Sequence, residues 1–152
     1  MSRSYVEENT EQRERIRDLL ARLSDQDLAL PLGDGWTVAG LLGHLAFWDH
    51  RALLLIGRWK QTGVGPSPVD VDAINDAMKP LLLSVPPRKA AEIAMETAAV
   101  IDKEMEVLSA DLIAQIEAQA TNFRLNRGLH RKVHMDQIEA ALSKFASAKT
   151  PG

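Results

Sequence analysis

The chain has 152 residues, enough for one domain, taken as residues 1–152, with a real hydrophobic core. Its 18 Lys and Arg against 21 Asp and Glu leave a net charge of -3, which gives no electrostatic case for nucleic acid or an anionic membrane as partner. Cysteine is absent, so no disulfide braces the fold and no protein thiol can serve as nucleophile or metal ligand. Residues 1–8 are acidic and lack the apolar core of a signal peptide, and no apolar run approaches the ~20 residues of a bilayer span. A cytoplasmic location is the expectation.

In chain order, Ser4 followed by Glu7 reads as a capping box that opens a first helix, with Ile16, Leu19, Leu20 and Leu23 at helical spacing. Ser24 and Asp27 stop or re-cap it, and Pro31, Gly33, Asp34 and Gly35 make a loop. Thr37 is the N-cap of a second long helix, roughly residues 38–60. Its stripe is Val38, Leu41, Leu42, Leu45, Ala52 and Ile56, widened by Leu53, Leu54 and Leu55. Gly40 and Gly43 inside it either admit a close neighbour or are simply tolerated. Residues 61–68 are loop, and residues 70–78 a short helix that Pro80 ends or kinks. Pro86 and Pro87 open a third long helix with its stripe at Ala90, Ala94, Thr97, Ile101, Met105 and Leu108. Ser109 re-caps a short piece through Ile116, and the last helix runs out near Phe145, with the tail from Ser147 frayed. No segment alternates with period two over β-branched residues, so no sheet is expected. The expectation is an all-α chain, a bundle of four long helices. The surplus apolar surface of the second helix predicts a homodimer, unless the segment through Pro80 covers it.

Two of the four histidines carry the chemical signal. His130 and His134 are four apart, so on a helix they lie roughly 40° from each other, on a face continued by Ile138, Ala141 and Phe145. Arg131, Lys132 and Glu139 are expected to point elsewhere. Imidazoles on an apolar face need polar partners, either backbone and water or a metal ion. Arg131 follows His130 where a zinc protease helix has Glu, so that class is excluded. A third ligand is best supplied by His44, on the flank of the second helix's stripe beside Leu41, Trp48 and Leu55. His50, about 120° further round, belongs with Phe47 and Leu54. Three neutral imidazoles leave a coordination position open, the pattern of a catalytic rather than a structural site.

The stretch from Gly35 to Asp49, GWTVAGLLGHLAFWD, resembles the first-histidine segment of the DinB/YfiT-like metalloenzymes. His130 to Ile138, HRKVHMDQI, resembles their closing H-x-x-x-H-x-x-Q-I segment. The resemblance implies a four-helix bundle with a divalent metal on His44, His130 and His134. Imidazole suits Zn, Ni, Cu and Fe, with Zn or Ni the expectation. It also implies kinship with bacillithiol and mycothiol S-transferases and with the mycothiol-dependent maleylpyruvate isomerase. The function to expect is therefore transfer of a low-molecular-weight thiol to a small electrophile. A metal-dependent hydrolase and a non-catalytic, stress-related metal- or ligand-binding bundle are the alternatives. Asp49 could orient a histidine or act as a base, or pair with Arg or Lys at a helix seam. Gln137 could bond water on the metal or cap the core edge. Arg124 and Arg127 could receive an anionic cofactor or substrate, or pair with acids, and Trp36, Trp48 and Trp59 could wall a pocket or merely pack.

Overall fold

Short polar side chains start most of the helices. Ser24 and Asp27 form a reciprocal capping box, Thr37 accepts from the Gly40 amide at 3.0 Å, Asp70 from Ala73 at 3.0 Å and Ser109 from Leu112 at 3.1 Å. The computed structural model describes the backbone of residues 4–149 and the side chains of residues 5–148. Among them are helices α1 (Ser4–Arg22), α2 (Asp25–Leu28), α3 (Val38–Thr62), α4 (Val71–Ser84), α5 (Pro87–Glu106), α6 (Ala110–Gln119) and α7 (Gly128–Lys149). The chain is thus mostly helical, as its periodicity predicts. The capping box expected at Ser4 lies outside the described side chains.

Three local expectations need correction. A two-stranded antiparallel hairpin, β1 (Pro31–Gly33) with β2 (Trp36–Thr37), stands where no sheet was expected. Its strands are too short to show a period, and its turn is made by positive φ at Gly33, Asp34 and Gly35. The short helix expected over residues 70–78 runs on to Ser84, with Pro80 inside α4 rather than ending it. The residues around it keep packing on α3, and that packing outweighs one lost amide donor. The last helix continues to Lys149, past Phe145, while the rest of the predicted frayed tail lies outside the described residues.

The helix α3 packs most extensively on α5, and α1 packs on both α5 and α7. A run of buried alanines on α5, Ala90, Ala91, Ala94 and Ala98, makes room for close packing. The surplus apolar face of α3 is in part covered by α4. A Cβ at Gly40 would come within 2.8 Å of Leu83 and one at Gly43 within 3.2 Å of Leu82, so the glycines serve close approach.

The core falls into two apolar clusters. One gathers Ile16, Leu19, Leu28, Leu42, Leu45, Ala94, Met135 and Ile138. The other gathers Ala52, Ile56, Trp59, Ile101, Met105, Leu108, Ile116 and Leu125. Buried polar side chains separate them, with Asn9 from α1, Asp49 from α3, Asp102 from α5 and Arg131 from α7. No helix among the described residues is long and apolar enough to cross a membrane.

Candidate metal centre

The N-cap at Thr37 starts α3 with a buried first two turns and brings His44 to the core edge, only 6% exposed. From α7, His130 and His134 project one turn apart toward it, both half-buried. The Nε2 of His130 lies 3.1 Å from Nε2 of His44 and 3.2 Å from Nε2 of His134. One ligand atom from each ring falls within 4.8 Å of the others. A tetrahedral ion with bonds of 2.0–2.1 Å places its nitrogens about 3.3 Å apart, which two of the three separations match, while the third is within 4.8 Å.

Protonation favours the same use. Burial, with the nearby His134, pushes His44 down to about 4. Burial pushes His130 down to about 3, helped by His134, His44, Arg127 and Arg131, and burial lowers His134 as well. At neutral pH all three are uncharged and can offer lone pairs. Gln137 Oε1 lies 2.6 Å from Nδ1 of His134, which places that ring's proton on Nδ1 and frees Nε2 for a ligand. Gln137 therefore serves the ring itself. His44 has no such partner at Nδ1, and its ring is held by the Trp36 edge, 5.8 Å between centroids, and by the other two imidazoles.

The cluster forms part of a cavity of about 590 Å³. Trp36, Leu41, Trp48, Val71, Leu129 and Val133 give it apolar walls, and Asn75, Asn122, Arg124 and Asn126 give it polar points. Trp48 is fixed by donating Nε1–H to Asn75 Oδ1 at 2.9 Å, and Arg51 lies 5.7 Å above its ring. Trp59 is not part of it and packs on Phe123. His50 is exposed and lines a separate apolar groove with Phe47 and Leu82.

The two arginines expected to receive an anion differ sharply. Arg124 is exposed on the cavity, and its guanidinium has no partner among the described residues. Arg127 is buried and donates from Nε to Asp49 Oδ1 at 2.9 Å, so its charge is already answered. Among the described residues, Asp49 accepts from Arg127 and Arg131, two cations at the seam of α3 and α7.

Arg131 points away from the histidine face, as expected, but into the protein: it is 1% exposed and reaches Asp49 and Asp102. The wheel allowed α7 a single inward face, but α7 packs on both α1 and α3, so a residue about 100° from His130 still points into the protein. The available signal was elsewhere, in Asp49 and Asp102, two carboxylates set among the apolar residues of α3 and α5 that must find a cation.

A family model described as the mycothiol maleylpyruvate isomerase N-terminal domain matches residues 10–133. The matched stretch contains His44 and His130 and stops one residue before His134. No curated protein and no solved structure matches the chain.

Proposed function

Because the chain belongs to the mycothiol maleylpyruvate isomerase N-terminal domain family, part of the DinB/YfiT-like superfamily, we propose that it is a metal-dependent enzyme that transfers a small thiol to a small electrophile. The observation that carries the reading is the Nε2 triangle of His44, His130 and His134 opening on an apolar-walled cavity. A divalent ion held there, zinc or nickel by preference, would supply Lewis acidity that lowers the pKa of a thiol or water beside it. The thiol must come from a small molecule, since the chain has no cysteine. His44, His130 and His134 hold the ion, with Gln137 fixing the tautomer of His134. The apolar walls exclude bulk water and bind the body of the electrophile. Arg124 receives an anionic group on cofactor or substrate. The four long helices α1, α3, α5 and α7 are read as one four-helix bundle around this site.

The test uses protein purified without a histidine tag. Elemental analysis should find one divalent ion per chain. Mycothiol, bacillithiol and glutathione, each offered with halogenated and epoxide electrophiles, should give conjugation that a chelator stops. Protein that binds no divalent ion ends this reading, and metal-dependent ester or amide hydrolysis without conjugation turns it into a hydrolase. Arg124→Gln should raise KM for an anionic reactant roughly tenfold with kcat nearly unchanged. An unchanged KM removes Arg124 from the site.

A further inference from the structure

His44 belongs to α3, and His130 and His134 to α7, yet these two helices pack on each other far less than α3 packs on α5 or α1 on α7. Few close backbone approaches therefore fix the distance across which the three imidazoles must meet, although Leu42 and Leu45 of α3 share an apolar cluster with Met135 and Ile138 of α7. A second bridge is ionic. Arg131 uses all five of its N–H donors. Nε and Nη2 reach Asp49 Oδ2 at 3.3 and 3.1 Å, Nη1 and Nη2 reach the two Asp102 oxygens at 2.8 Å each, and Nη1 also reaches the Asn9 carbonyl at 3.0 Å. Arg127, just before α7, takes the other oxygen of Asp49 at 2.9 Å, and Arg13 from α1 takes Asp102 at 2.7 Å. One guanidinium on α7 thus touches α1, α3 and α5, beside His130 in sequence, while its α3 partner Asp49 is five residues from His44.

We infer that Asp49 and Arg131 are positioning residues for the three-histidine centre, setting the rotation and axial register of α7 against α3. Apolar contact can slide, but a saturated fork on two carboxylates has one geometry. Apolar residues of similar volume could fill this layer without loss of stability, so stability alone does not account for buried charge here. The inference builds on the metal reading above, but its geometric part can be read in the ion-free protein.

The experiment compares Asp49→Asn, which keeps the shape of the side chain, with Ile116→Ala, a cavity in the second apolar cluster. For each, Zn²⁺ affinity is measured by competition with a chromophoric chelator, and melting of the ion-free protein is followed in parallel. Asp49→Asn should bind Zn²⁺ about ten- to a hundredfold more weakly. Ile116→Ala should bind within about twofold of the original chain despite its own loss of Tm. Affinity that falls with Tm alike in both variants, or not at all in Asp49→Asn, overturns the inference. If Asp49→Asn does not fold, Arg127→Gln removes one bond from the same carboxylate and takes its place. Ring nitrogen chemical shifts of His44 and His130 in ion-free protein give an independent reading. They should change in Asp49→Asn and hold in Ile116→Ala, and unchanged shifts also overturn the inference. A parent chain that binds no Zn²⁺ ends the proposed function, while these shifts still decide the positioning role.

Discussion

His44 has an ordinary imidazole pKa of 6.5 when unfolded and about 4 when folded, because burial opposes its charge. His130 is pushed down further, to about 3. The unfolded chain therefore binds protons below pH 6.5 that the folded chain refuses, and stability must fall with pH from about 6.5 toward 4. Each such histidine steepens the loss toward about 1.4 kcal/mol per pH unit. Denaturant unfolding at pH 6.5 and 5 should show this slope, shallower in His44→Gln; equal slopes in the two proteins would refute the assignment. At the same scale, His130→Ala should abolish tight metal binding while His50→Ala leaves it nearly intact, since His50 lines a different groove. The histidine trio was legible because two residues four apart share a helix face and His44 sits on an apolar flank. Arg131 was not, because a wheel gives the angle of a side chain but not what stands opposite it. Truncating it as Arg131→Met should cost about 3–5 kcal/mol in denaturant unfolding, with buried Asp102 and Asp49 each left with a single arginine, Arg13 and Arg127.

Helix starts were the most legible elements, because capping is local chemistry. Ser24, Thr37, Asp70 and Ser109 each bond an amide of their own first turn. At the start of α7 Asn126 Oδ1 likewise accepts from the Leu129 amide at 3.1 Å, but a distant residue takes part as well. The amide of its first residue, Gly128, donates to the Asn9 side chain of α1 at 2.8 Å, and a Cβ there would meet the Glu8 carbonyl oxygen at 2.7 Å. Sequence could not show this, because the constraint lies 119 residues away. Backbone cannot yield as a side-chain tip can, so Gly128→Ala should destabilise by about 1–3 kcal/mol. Gly57, an exposed glycine in α3 with open space around it, gives the opposite sign, and Gly57→Ala should stabilise by about 0.5–1 kcal/mol. Urea unfolding of both variants checks the pair, and a neutral Gly128→Ala would mean that α1 and α7 part more easily than their contact suggests.

Across the whole molecule, an apolar cluster lies on either side of a charged layer, and the histidines join two long helices whose backbones approach each other at few points. An ion bound by all three rings would tie α3 to α7 across that sparse approach. The unfolded chain offers the same imidazoles, but far apart and in no fixed geometry, so the folded state should bind the ion much more tightly. At a free Zn²⁺ or Ni²⁺ concentration a hundredfold above Kd, the linkage amounts to about 2.7 kcal/mol. For a chain of this length each kcal/mol moves Tm by about 2–4 °C, so melting should rise by roughly 5–11 °C. A chelator should reverse the rise, and His130→Ala should show none. A rise that survives in His130→Ala would place the ion elsewhere on the chain. No rise in the parent protein, at concentrations where titration shows the ion bound, would mean that the unfolded state binds it equally well and that the three rings are not a preformed site.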